Sequence, residues 1–213
     1  TAPETAPEPQ PEQVKRGKWK KEVANVTETE QVQENALYNA LLPEFELGGH
    51  LVITGAPGIG KSYTIDKILD GDYVAVQVND KSDVTGYQSP LSLEWVVTQI
   101  QQAAIDGRTV FIDEIDTLTT DIQLALQVLT AGGAFTAGGK QYKPAKGFRV
   151  IGACNSQLLG ENIGTYAWTE ALLSRFTVIN ADEIIEEAGG IEAVAKSFNR
   201  YSGECLTLVG ILK

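Results

Sequence analysis

Apolar residues follow two alternating rhythms along the 213-residue chain. Short continuous runs read as buried strands at 50–54 (HLVIT), 73–78 (YVAVQV), 109–112, 148–153 and 177–179. Between them, spacings of three and four predict helices. Residues 30–42 put Val32, Ala36, Leu37, Ala40 and Leu41 on one face, and Pro43 should end that helix. Residues 61–69 read as a helix with Gly71 just past its end. Ser89 and Pro90 should open another as cap and first-turn proline, with Leu93, Val96, Val97, Ile100 and Ala104 as its stripe. A helix at 119–131 closes at Gly132 and Gly133, and 134–147 reads as a hairpin turning at Gly138 and Gly139. Two short helices are expected at 184–188 and 191–198. Five apolar strands alternating with helices imply an α/β fold. The expected form is a three-layer α/β/α sandwich around a five-stranded, mainly parallel sheet.

The ends differ from this core. Residues 1–13 repeat a TAPE unit and carry almost no large apolar side chains, so they cannot offset the entropy of ordering. Lys15, Arg16, Lys18, Lys20 and Lys21 follow, with Trp19 among them, as a solvated linker or a docking patch. The chain divides into a tail and basic linker at 1–29, a core at 30–182 and a partial helical lid or C-terminal extension at 183–213.

Composition narrows the function classes. The net charge of −11 argues against a broad nucleic-acid-binding face. No apolar run reaches the roughly 18 residues that span a bilayer, so no membrane role is expected and a cytoplasmic location is. The two cysteines, Cys154 and Cys205, lack metal-ligand spacing and read as reduced thiols. His50, the one histidine, has no plausible Ser or Cys partner and receives no catalytic role.

Candidate chemistry concentrates after the apolar runs. Gly55, Ala56, Pro57, Gly58, Ile59, Gly60, Lys61 and Ser62 fit G-x-x-x-x-G-K-[ST], between a strand and a helix. The glycines let the backbone curl so that its N–H groups point at phosphate oxygens. The next helix adds its positive end, and Tyr63 in its first turn is counted among the binding residues. Lys61 should reach the β- and γ-phosphates of ATP, and Ser62 should ligate Mg2+. About fifty residues on, the 109–112 strand runs into Asp113 and Glu114. Asp113 would hold Mg2+ through water, and Glu114 would act as general base toward a water. Asn155, after the 148–153 strand, could orient that water, although a turn-forming role competes. Arg175, in ALLSRF at 171–176, could neutralise phosphoryl charge from a neighbouring subunit, or be a surface salt-bridge residue.

Together these motifs resemble the AAA+ ATPases over residues 30–182. DEID at 113–116, ACNS at 153–156 and LLSRF at 172–176 match that superfamily's Walker B, sensor-1 and arginine-finger positions. Asp83-Val84-Thr85-Gly86, the hairpin at 134–147 and the segment 160–168 (GENIGTYAW) are similar to the MoxR and dynein-related group, including the cobaltochelatase ATPase subunit and phage-borne relatives. A phage origin would place the protein in the host cytoplasm. The resemblance implies an ATP hydrolase forming a homo-oligomeric ring, usually of six, with ATP at the interfaces. Turnover would remodel or assemble an unidentified protein partner. A DNA-associated motor, a small-molecule kinase and a scaffold with little turnover remain alternatives. Too little chain follows Arg175 for the usual lid, which implies a truncated or reduced one, and Arg200 is a weak sensor-2 candidate. The resemblance also makes Tyr87 a pore-contact candidate. Tyr142 and the lysines 140, 143 and 146 offer a basic hairpin to an acidic partner, or form a soluble hairpin tip.

Overall fold

A computed structural model of the chain describes residues 36–155 and 165–189. The tail at 1–29, residues 30–35, most of the 160–168 segment, the helix expected at 191–198, Arg200 and Cys205 lie outside the described residues.

Five strands form one sheet: β1 (His50–Thr54), β2 (Val74–Val76), β5 (Thr109–Asp113), β8 (Arg149–Cys154) and β9 (Phe176–Asn180). Their order is β2-β5-β8-β1-β9, and every pairing is parallel. Parallel neighbours need crossovers, and these are helical. Successive residues of each strand face opposite sides, so the sheet feeds two cores. Leu51, Ile53, Phe111 and Ile151 pack under α1 (Ala36–Leu47), α2 (Lys61–Leu69) and α7 (Ala181–Glu187). Val52, Val110, Ile112 and Val150 pack under α4 (Gln99–Asp106), α5 (Thr120–Thr130) and α6 (Glu170–Leu173). This is the expected three-layer sandwich. Helix α7 straddles the division expected at 182.

Two local expectations fail. Pro43 does not end α1, which continues to Leu47. The proline costs about 3 kcal/mol inside a helix. Continuing places Phe45 in line with Leu37 and Leu41, all buried, and an aromatic of that kind returns about 1.5–3 kcal/mol. Arg149 adds to this, donating from Nη1 to Phe45 O at 2.7 Å with its guanidinium 5.5 Å from the ring centre.

Ser89 and Pro90 do not open a helix either. They lie in a turn between β3 (Tyr87–Gln88) and β4 (Trp95–Val96), an unforeseen hairpin. Ser89 N donates to Glu94 O at 2.8 Å, Leu93 N donates to Ser89 O at 2.9 Å, and Gln88 Nε2 donates to Leu93 O at 2.7 Å. The helix begins at Gln99, where Thr98 and Gln101 form a reciprocal capping box. Of the expected stripe, Ile100 and Ala104 are buried on α4, while Leu93 is 70% exposed on the hairpin.

The second hairpin matches expectation, with β6 (Phe135–Ala137) and β7 (Lys140–Tyr142) joined at Gly138 and Gly139. Buried Gln101 ties Thr85, two residues before the first hairpin, and the second hairpin to α4. Its Nε2 donates to Thr85 O at 2.7 Å and Thr136 O at 2.9 Å. Asp83-Val84-Thr85-Gly86 has a local logic too. Asp83 accepts from the amides of Asn79 and Asp80 at 2.9 Å each, capping α3 (Lys81–Thr85). Gly86 ends that helix at φ +73°, where a Cβ would meet Gln101 Oε1 at 2.6 Å.

Candidate active site

The chain leaves β1 at Thr54 and curls through 55–60 into α2. Gly55, Gly58 and Gly60 hold φ of +147°, +80° and +92°, conformations a side chain resists. At Gly55 a Cβ would also stand 2.7 Å from Ile59 Cδ1. Ile59 is buried in the α1–α2 core and anchors the loop, while Ala56, Pro57 and Gly58 are exposed. Gly60 precedes α2 without a side-chain cap. The first-turn amides of α2 therefore have no side-chain acceptor at that cap and suit an anion.

Strand register gathers the rest. Thr54 pairs with Cys154, and Asp113 pairs with Ala153. The loop, Asp113 and Asn155 therefore emerge side by side from the C-terminal ends of three adjacent strands, where open parallel sheets bind ligands. Lys61 is 7% exposed, and its ammonium has three donors. Lys61 Nζ donates to Gly55 O at 2.7 Å, Ala56 O at 2.9 Å and Asn155 Oδ1 at 2.9 Å. Burial lowers its pKa, opposed by the Cys154 thiol and the carboxylates of Asp182, Asp113 and Asp116. Ser62 Oγ donates to Asp113 Oδ2 at 3.2 Å.

Glu114 follows in an unusual backbone state, φ +52°. Such a conformation costs a non-glycine residue about 1 kcal/mol. It is held on both sides: Glu114 N donates to Asp113 Oδ1 at 3.0 Å, and Glu114 O accepts from Thr117 N at 2.9 Å and Thr117 Oγ1 at 2.8 Å. Asp113 thereby faces Ser62, while Glu114 joins Asn79, Asp113 and Thr117 along a cleft of about 540 Å³ at the ends of β2 and β5. Tyr63 is half exposed on α2, with Lys67 Nζ 6.0 Å from its ring centre.

Arg175 stands apart. It precedes Phe176, which pairs with His50 at the start of β1, whereas the loop follows Thr54 at its end. Four residue steps of about 3.3 Å separate those levels, roughly 13 Å along the strands. The guanidinium is occupied locally, by Ala171 O and by Ser174 Oγ at 3.5 Å.

The sequence reading missed three polar side chains. Asp182, in the first turn of α7, accepts from Ala56 N through both carboxylate oxygens at 3.0 Å and ties the loop to that helix. An Asn-x-Asp at a strand-to-helix junction was the available signal. Gln101 and Gln123 are buried hubs, and Gln101 also closes the capping box with Thr98. His50 is bonded within the scaffold: Nδ1 accepts from Val150 N at 2.9 Å and Nε2 donates to Thr130 O at 3.1 Å. Desolvation lowers its pKa, partly offset by the Thr130 bond.

Residues 50–176, more than half of the chain, match the model of the AAA domain, dynein-related subfamily. The chain belongs to that family. No curated protein matches it. Among solved structures it is similar to a candidate ATPase from Cytophaga hutchinsonii, at 21% identity and TM-score 0.53, over 76% of this chain and 54% of that one. It is also similar to NtrX from Brucella abortus, at 19% identity and TM-score 0.53, over 85% of this chain and 42% of that one. The dynein-related AAA chain thus spans about half the length of these neighbours, and at such identities they speak for the fold. The expected AAA+ membership agrees with the family match. Among the described residues, no helix is long and apolar enough to cross a membrane.

Proposed function

We propose that this chain binds ATP with Mg2+ and hydrolyses it at interfaces between its own subunits, driving the remodelling or assembly of a protein partner. The observation that carries this reading is the contact set of Lys61. One buried ammonium joins two loop carbonyls to Asn155, beside the Ser62–Asp113 pair. A phosphate entering the loop finds its charge, its donors and a carboxylate–hydroxyl pair already placed.

The residues divide the work. Loop amides from Gly58 to Tyr63 and Lys61 Nζ hold the phosphates. Ser62 Oγ and Asp113 are the groups that would hold Mg2+, a hard cation suited to hydroxyl and carboxylate oxygen. When bound, it neutralises charge on the phosphate oxygens. Among the described residues no group of three or more His, Cys, Asp or Glu is placed to hold a metal ion by itself. That fits an ion held largely by substrate and water. Glu114 accepts the proton of the attacking water, and Asn155 orients that water with a neutral amide. Arg175, about 13 Å along the strands from its own loop, serves the γ-phosphate of the next subunit. An isolated subunit would accordingly bind ATP and turn it over slowly.

The two hairpins supply the partner surface. Tyr87, Leu93 and Trp95 are largely exposed on the first, and Leu91 is 96% exposed at its tip. Lys140 and Lys143 are exposed on the second, beside Gly139, where a Cβ would lie 3.8 Å from Trp95 Cδ1. An apolar finger flanked by lysines suits a protein segment with apolar and acidic side chains better than a DNA backbone. The test is the Glu114→Gln protein with ATP·Mg2+. Nucleotide titration should give unchanged affinity while phosphate release falls by about a hundredfold or more; unchanged turnover would remove Glu114 from the mechanism.

A further inference from the structure

The part of α5 that faces neither nucleotide nor solvent contains Gln123, fully buried. Its Nε2 donates to Leu118 O at 2.9 Å and to Ala167 O at 3.2 Å, and its Oε1 accepts from Thr169 N at 3.2 Å. Leu118 closes the single 3-10 turn (Ile115–Thr117) that begins at Glu114. Thr169 is the N-cap of α6, with Oγ1 accepting from Leu172 N at 3.3 Å, and Arg175 follows that helix. A backbone bond runs in parallel, from Tyr166 N to Asp116 O at 2.8 Å. The helix before Arg175 is therefore mounted on the turn that carries Glu114, through one buried amide and one backbone bond.

We propose that Gln123 is a positioning residue that couples the Glu114 turn of one subunit to the arginine this subunit offers its neighbour. The inference rests on the trans role proposed for Arg175. Both amide protons and the carbonyl of Gln123 are engaged where water does not compete, so the two segments move together or leave buried groups unpaired. Nucleotide at one site would then set the reach of the arginine at the next.

Hydrogen exchange read by mass spectrometry, with and without ATP·Mg2+, tests the coupling in the full chain. In the parent, ATP should slow exchange over 55–70 and also change it over 165–175. In Gln123→Met, protection over 55–70 should persist, basal exchange at 169–173 should rise about tenfold, and the response over 165–175 should vanish. Thr169→Pro, at a φ of −67° that proline accepts, removes one of the bonds while leaving Gln123 in place, should Gln123→Met fail to fold. A response over 165–175 that survives in the folded variant, or is missing from a parent protected over 55–70, overturns the coupling. No protection over 55–70 in the parent overturns nucleotide binding itself, and the relay with it.

Mixed assemblies separate positioning from mere support of the fold. Lys61→Ala subunits supply arginines to Arg175→Ala subunits, which supply intact loops. Adding Gln123→Met to the first should lower recovered turnover, and adding it to the second should not. Equal loss from either side would overturn the positioning role. No recovery in the unmodified mixture would instead count against Arg175 acting in trans, with the exchange response still reporting on the coupling.

Discussion

The two ends of the β1–β9 pair carry different chemistry. At the C-terminal end the chain gathers a loop, a lysine, a hydroxyl, a carboxylate and an amide within hydrogen-bonding distance of one another. At the other end stands Arg175, bonded only within its own turn among the contacts described. In the proposed function the first end, with the Lys61 ammonium, holds the phosphates. The second end would add the Arg175 guanidinium to the transition state. Parallel register fixes the separation, since β1 and β9 run in step from His50–Phe176 to Thr54–Asn180. Under the proposed function, a site divided in this way becomes whole when one subunit's arginine end meets another's loop end.

Removing the arginine should give the largest effect. Arg175→Ala is expected to cut phosphate release by about a thousandfold, with nucleotide affinity per subunit nearly unchanged. Glu114→Gln should follow, with a loss of about a hundredfold or more and retained binding. Lys61→Ala acts at the other end and should weaken binding itself, by about ten- to a hundredfold in Kd, as read by fluorescent-nucleotide titration. A Kd effect from Arg175→Ala as large as that from Lys61→Ala would erase the distinction between the ends.

The smallest effect concerns the scaffold between them. His50 is half-buried, and desolvation, partly offset by its Thr130 bond, depresses its pKa below the unfolded value near 6.5. Below that pH the unfolded chain takes up a proton that the folded chain resists. The stability His50 confers is therefore full above pH 6.5 and is lost as pH falls toward its depressed value, by at most about 1.4 kcal/mol per pH unit. Urea unfolding between pH 5 and 8 should show this slope in the parent and a shallower one in His50→Phe.

The nucleotide end was legible in the sequence because each of its parts is local. A glycine loop, an apolar run ending in acids and an Asn after a third run each follow a strand, and parallel strands deliver their C-terminal ends together. The hairpin at Tyr87–Val96 was not legible, because Ser89-Pro90 satisfies the helix-opening pattern as well as a turn. The decisive signal, the Thr98–Gln101 capping box, stands nine residues later. Pro43 misled for the opposite reason: its local cost is real, and Phe45 and Arg149 outweigh it through contacts distant in sequence. The hub roles of Gln101, Gln123 and Asp182 were missed because local patterns, such as the capping box and Asn-x-Asp, do not announce partners 16 to 126 residues away.

The most direct test of a divided site is turnover in mixtures of Lys61→Ala and Arg175→Ala subunits. Each alone should be nearly inactive, and mixing should restore phosphate release, with a maximum at intermediate ratios. Mixtures that never exceed the weighted sum of the two separate proteins, while co-assembly is demonstrated, would contradict the account.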